Sequence, residues 1–329
     1  LVLTLILSAF SLAGCSDKSD GEGEGLTVCV VVSSAFGDKS FNDSAKEGAD
    51  KLKEDYGVTV KTIECQQENF KQRMMEAAEE SDVVVPVGWE FYEISDVAKE
   101  YPDTKFIWVD NPAEGIEDLP NVLCILYAQN EGSFLAGYIA ASMSETGVVG
   151  AVGGEDNDTI NDFLIGYKEG AQYANPDIKV VTNYANTYED PAKGKECALA
   201  LNSQGADVVF AVAGNTGNGV FAAAKEKGFY VIGVDQDQKL SAPEYDEQII
   251  CSMKKEVGTS VYDTVKALIE DDTWDGGRIW TADMATGYVS MAYGDENSTQ
   301  QVSDDLKKAT DDIQNKIVAG EITVSTARK

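Results

Sequence analysis

Short apolar runs rich in valine and isoleucine alternate with helix-patterned segments along this chain, and the alternation restarts midway. Leu26–Ser33, Val58–Cys65, Asp82–Val87, Lys105–Asp110 and Asn121–Tyr127 read as strands. Phe41–Asp55, Asn69–Glu80 and Tyr92–Glu100 carry apolar residues at helical spacing between them. A continuous Val/Ile run between amphipathic helices is the mark of a parallel strand covered on both faces. From Glu131 the pattern repeats, with helices over Glu131–Ser144, Asn161–Ala174, Pro191–Ser203 and Gly217–Lys227. Strands over Val148–Val152, Lys179–Tyr184, Asp207–Ala211 and Tyr230–Val234 separate them. Two such sets of roughly 100 residues each predict an α/β chain of two doubly wound lobes. The remaining strands (Gln248–Met253, Arg278–Ala282, Gly287–Met291) and helices (Val257–Glu270, Ser303–Val318) make no sheet of their own. They are expected to cross back and complete both sheets, which requires several hinge strands.

Residues 1–15 are apolar and end in small residues, as do the core and cleavage region of a secretory signal peptide. The stretch is shorter than the roughly 20 residues a transmembrane helix needs. Neither Met nor a basic stretch precedes it, so a signal beginning upstream of Leu1 is expected. Leu12-Ala13-Gly14-Cys15 resembles the bacterial lipobox, which implies a diacylglycerol-modified Cys15 as mature N-terminus. The acidic, Gly-rich stretch 16–25 reads as a flexible tether. An exported chain held at the extracytoplasmic face of the cell membrane by lipid is therefore expected.

Beyond the tether roughly 300 residues remain, enough for two domains. The formal charge of −31 argues against nucleic acid, which needs a basic face. The chain has no histidine, which excludes Ser-His-Asp and Cys-His catalysis and a histidine-bearing zinc site. The six cysteines, Cys15, Cys29, Cys65, Cys124, Cys197 and Cys251, include no C-x-x-C pair. Cys29, Cys124 and Cys251 fall in apolar runs and read as buried small hydrophobes. One disulfide among the five beyond Cys15 stays open.

In doubly wound sheets ligands bind beyond the carboxyl ends of the strands. The first strand is followed by Ala35-Phe36-Gly37-Asp38-Lys39-Ser40-Phe41-Asn42-Asp43, in which Ser40 or Asn42 fits a helix cap. Phe41 cannot cap, and offers a ring for stacking against a flat ligand. Gly88-Trp89-Glu90, Asp110-Asn111-Pro112, Tyr188-Glu189-Asp190-Pro191, the Ala213–Gly219 loop and Asp235-Gln236-Asp237-Gln238 follow later strands. Carboxylates and aromatics at matching ends of two sheets suit a neutral ligand with hydroxyls and a flat ring. Two enzyme readings fit less well. Gly214-Asn215-Thr216-Gly217-Asn218-Gly219 matches neither the phosphate loop nor G-x-G-x-x-G. Asp235 and Asp237 could serve a magnesium site or glycoside hydrolysis, but such a pair on a loop is more often a ligand hydrogen-bonder or a solvated turn.

From Leu26 onward the chain resembles the basic membrane protein/Med-type nucleoside-binding lipoproteins, substrate-binding subunits of ABC importers. The resemblance rests on Asp38-Lys39-Ser40-Phe41-Asn42, Asn130-Glu131-Gly132-Ser133-Phe134-Leu135-Ala136-Gly137, the Ala213–Gly219 loop and Ile232-Gly233-Val234-Asp235. It implies a type I periplasmic-binding-protein fold, with two Rossmann-like lobes closing over a purine nucleoside. The expected lobes are 26–128 with about 254–285, and 129–253 with about 286–329. Carried over by position, Phe41 and Tyr188 are the stacking rings and Asp110 the carboxylate reading the base edge. Gly214, Asp235 and Lys255 are the ribose-side contacts, and Asp38 and Asn42 belong to the signature loop. Asn215 stands where the family often has Gly. The resemblance also implies a monomeric receptor without cofactor that partners a permease and its ATPase. The same fold binding a sugar or furanose-type signal, or a nucleoside- or sugar-cleaving enzyme, stays open.

Overall fold

The computed structural model describes residues 25–65, 69–111 and 115–328. Cys15, the expected signal and all but the last tether residue lie outside them. The first sheet holds β1 (Thr27–Val32), β2 (Thr59–Glu64), β3 (Val83–Val87), β4 (Lys105–Val109) and β5 (Val122–Tyr127). Between these strands run α1 (Phe41–Tyr56), α2 (Phe70–Glu79) and α3 (Ile94–Glu100). The chain then builds a second set: α4 (Gln129–Met143), β6 (Val148–Gly153), α5 (Asp158–Ala174), β7 (Lys179–Tyr184), α6 (Pro191–Ser203) and β8 (Val208–Val212). It continues through α7 (Gly217–Lys227), β9 (Tyr230–Asp235), α8 (Gln238–Ser241) and β10 (Ile249–Lys255). Last come α9 (Val257–Asp271), β11 (Arg278–Ala282), β12 (Val289–Ala292) and α10 (Asp304–Val318).

Each sheet has six strands, in the orders β11-β5-β4-β3-β1-β2 and β12-β10-β9-β8-β6-β7. The tail does complete both sheets: β11 lies parallel to β5 in the first and β12 beside β10 in the second. The protein therefore has the type I periplasmic-binding-protein architecture. The chain passes between the sheets at 127–129, 255–257 and 282–289. Among the described residues all strand pairs run parallel except β10 and β12, which run antiparallel.

Strand residues alternate between the two faces of each sheet. In the first, Val28, Val30 and Val32 pack toward α1 and α9, while Cys29 and Val31 pack toward α2 and α3. In the second, Ala151, Phe210 and Ile232 meet α4 and α5, and Val152, Val209 and Val231 meet α6 and α7. Burying one such aliphatic side chain contributes about 1.5–3 kcal/mol, so both sheets are anchored on both faces. Cys29, Cys124 and Cys251 are wholly buried members of these layers. Cys29, Cys65, Cys197 and Cys251 carry free thiols. The helices α1 and α9 cross at Gly48 and Gly258, where a Cβ on Gly48 would stand 2.1 Å from the Gly258 carbonyl oxygen.

Candidate functional site

The strand ends of the two sheets face one another across a cavity of about 320 Å³, at the lower end of the roughly 300–1,000 Å³ usual for small-molecule pockets. Asp38, Phe41, Asn42, Asp110, Tyr188, Gly214, Asp235 and Lys255 all line it. The first lobe contributes the loop before α1 and the turns after β3 and β4. The second contributes the turns after β6, β7, β8 and β9 and the end of β10.

The loop before α1 is organised differently from the sequence expectation. Neither Ser40 nor Asn42 caps the helix. The Asp38 carboxylate does so, accepting from the backbone N–H groups of Ser40, Asn42 and Asp43 at 3.0, 2.9 and 3.1 Å. A carboxylate with two oxygens can meet three donors, which a hydroxyl or a single amide oxygen cannot. Burial pushes Asp38 up from 3.8 to about 7 against the pull of those donors. Asn42 donates through Nδ2 to Ser34 Oγ and the Ala35 carbonyl, both at 3.0 Å, and so braces the loop. Relieved of capping, the Ser40 hydroxyl donates to Asp235 of the second lobe. Asp235 is buried, which raises its carboxyl, while nearby Lys255 pulls it back.

Phe41 and Tyr188 come from opposite lobes. The Tyr188 ring lies against Gly154, where a Cβ would stand 2.2 Å from it, and its hydroxyl accepts from Asn157 Nδ2 at 2.9 Å. Gly214 has φ +53°, beside Tyr188 Cβ, and Asn215 continues the same 3-10 turn. Lys255 is almost wholly buried, with its ammonium 4.8 Å from the Phe41 ring centre, 5.0 Å from Tyr127 and 5.4 Å from Phe163. It donates to Asp110 Oδ2 at 2.6 Å, whereas Lys254 turns away to Glu256. Asp110 and Asp235 leave their strands with φ of 76° and 66°, a left-handed turn that non-glycine residues rarely make and that concentrates at functional sites.

Asp235 and Asp237 do not act as a pair, since Asp237 caps α8 through Lys239 N and accepts from Gly294 N. Among the described residues no cluster of acidic or thiol side chains could hold a metal ion. Glu131 reaches the backbone N–H of Met284 at 3.0 Å, so it braces a crossing between the lobes. Sequence reasoning overlooks Glu155, Asn157, Thr159, Ile160 and Phe163, which follow β6 and line the cavity. The strand-end rule applied to β6 would have reached the first of them. It also overlooks Arg328, whose Nη2 lies 3.2 Å from Asp110 Oδ1 and for which no sequence signal exists.

Residues 26–328 match the family model described as ABC transporter substrate-binding protein PnrA-like. The chain belongs to this family. Basic membrane protein A of Borreliella burgdorferi is 31% identical over 334 residues, covering 100% of this chain and 96% of that protein. A solved structure of an ABC transporter solute-binding protein from Aeropyrum pernix K1 superposes with a TM-score of 0.82 at 28% identity, covering 92% of this chain and 94% of that one. A periplasmic solute-binding protein from Actinobacillus succinogenes 130z with bound D-allose shares the fold at TM-score 0.61 and 15% identity, over 82% and 97% of the two chains. Members of this family are the solute-binding subunits of ABC transporters and work beside a permease and an ATPase. They bind rather than transform their solute. Among the described residues no helix is long and apolar enough to cross a membrane.

Proposed function

We propose that this protein is a lipid-anchored receptor that captures a nucleoside, a purine nucleoside above all, and delivers it to an ABC importer. The observation that carries the reading is that Phe41 and Tyr188, one ring from each lobe, line one cavity together with Trp89, Phe163, several carboxylates and the buried Lys255 ammonium. A flat base sandwiched by both rings gains stacking from each lobe only when the lobes are together. Asp110 accepts from base N–H groups, and Asp235 from ribose hydroxyls. Lys255 and Gly214 meet the ribose as donor and backbone contact. Asp38 and Asn42 serve the same end indirectly, by fixing the loop that carries Phe41.

The ligand has more contacts in the closed form than in the open one, so binding shifts the population toward closure. The permease then reads the closed face. Diacylation of Cys15 keeps a monomeric receptor beside its permease, with residues 16–25 as reach. The lobes that move are 26–128 with about 254–285, and 129–253 with about 286–329. Calorimetric titration with inosine, guanosine, adenosine, a pyrimidine nucleoside and D-allose tests the proposal. Tight binding of a purine nucleoside with no product after incubation is expected. Heat from D-allose alone, or free base released from the nucleoside, would sink it.

A further inference from the structure

Segment 322–328, which follows α10, runs along the second lobe and then reaches the first. Asn130 Nδ2 donates to the carbonyls of Val324 and Ser325 at 3.2 and 3.1 Å. Asp162, itself 2% exposed, accepts from Thr326 Oγ1 at 2.6 Å and Ala327 N at 2.7 Å. This places the Arg328 guanidinium among four oxygens from both lobes. They are Asp110 Oδ1 at 3.2 Å and the Tyr127 carbonyl at 3.2 Å in the first, and Thr159 Oγ1 at 3.3 Å and Asp162 Oδ2 at 3.4 Å in the second.

Arg328 does not line the cavity, whereas Asp110 does. The Asp110 carboxylate is held at each oxygen by a different cation, Oδ2 by Lys255 and Oδ1 by Arg328. A carboxylate has about four lone-pair sites, so two remain for a ligand, and their direction is set by the two cations. The planar guanidinium meets Asp110 through Nη2 while its other N–H groups are anchored at Tyr127 and Asp162, which fixes the direction from which it approaches the carboxylate.

We infer that Arg328 is a positioning residue for ligand recognition, acting through Asp110 to fix the carboxylate plane presented to the solute. The inference rests on the reading of Asp110 as a ligand contact given above. A group that only tethers segment 322–328 would weaken the protein independently of Asp110; a positioning group acts through it and is therefore non-additive with it. The test is a double-mutant cycle read by calorimetry, using whichever of inosine, guanosine, adenosine and D-allose binds the unaltered protein. Arg328→Gln is expected to weaken binding about tenfold or more, as removal of a charged hydrogen-bond partner does. Asp110→Asn is expected to weaken it at least as much, and the double variant no further than Asp110→Asn alone. An Arg328→Gln affinity equal to that of the unaltered protein, or losses that multiply in the double variant, would overturn the inference. If Arg328→Gln does not fold, Arg328→Lys takes its place in the cycle, because a lysine keeps the charge without the fork. Binding of D-allose in place of every nucleoside would refute the nucleoside reading while the cycle still decides the role of Arg328.

Discussion

The two ends of the cleft are closed by different chemistry. At the mouth, the first lobe offers the backbone of its signature loop to short polar side chains of the second. Gln238 Nε2 and Ser241 Oγ donate to the Lys39 carbonyl at 2.8 and 3.3 Å, Asn218 Nδ2 donates to the Asp38 carbonyl at 3.3 Å, and Lys39 pairs with Glu244 at 2.6 Å. Near the hinge, beside the crossings at Tyr127 and Lys255, the contacts are the buried charges of Asp110, Lys255 and Asp162 with the half-buried Arg328. Most of these mouth contacts are single neutral hydrogen bonds, and water can readily replace either partner of the exposed Lys39–Glu244 pair. It cannot cheaply replace a partner of a buried charge, because stripping one leaves the other uncompensated. On the proposed reading, the mouth is the end that parts and the hinge the end that stays joined.

Replacing Lys255 attacks the hinge end most severely. Lys255→Met should destabilise the fold by about 3–5 kcal/mol, as loss of one member of a buried ion pair does. Urea unfolding measures it, and a loss under about 1 kcal/mol would mean that the charges are better solvated than their burial indicates. Phe41→Ala should cost about 1–3 kcal/mol of ligand affinity with little effect on stability, if base stacking here follows other stacking platforms. Calorimetry decides, and unchanged affinity would remove Phe41 from the site. At the mouth, Ser40→Ala should lower ligand affinity by about 1 kcal/mol by deleting the cross-lobe bond to Asp235; a loss as large as that of Lys255→Met in stability would erase the contrast between the ends. The smallest effect belongs to Lys39→Ala, at most about 1 kcal/mol, since that pair is exposed and screened by salt.

A pH titration sharpens the same contrast. Asp38 titrates near 7 in the folded protein against 3.8 otherwise, and burial raises Asp235 and Glu90 in the same direction. Between about pH 4 and 7 the folded state therefore holds protons that the unfolded chain has released, so stability rises as pH falls through that window. Thermal melts from about pH 7.5 down to 5.5 should show an increasing Tm, and Asp38→Asn should flatten the slope. A Tm that falls over this range would mean that these carboxyls stay ionised in the fold.

Much of this architecture could be read from the residues, for identifiable reasons. Valine and isoleucine runs covered on both faces leave an unambiguous trace, so β1, β3 and β8 fall within a residue or two of expectation. All eight expected residues line the cavity, each at a strand's end or in the segment that leads from it into the next helix, where topology brings them together. Assignments that depend on which side chain wins a competition were harder. The three donors at the start of α1 go to Asp38 because its carboxylate outcompetes Ser40 and Asn42, a contest that spacing does not settle. The four residues of α8 are too few to show a period. Arg328 lies in a polar segment without periodicity, and its importance comes wholly from the fold delivering it to Asp110.

The close crossing of α1 and α9 has a mechanical meaning for the cavity. Phe41 opens α1, and Lys255 stands two residues before α9 begins. Welded at Gly48 and Gly258, the two helices form a single bracket with the aromatic ring on one arm and the ammonium on the other. The 4.8 Å between them is held by a crossing with no side chain at its centre. A methyl group at either glycine would pry the arms apart far from the ligand, detuning recognition without touching a residue that contacts the solute.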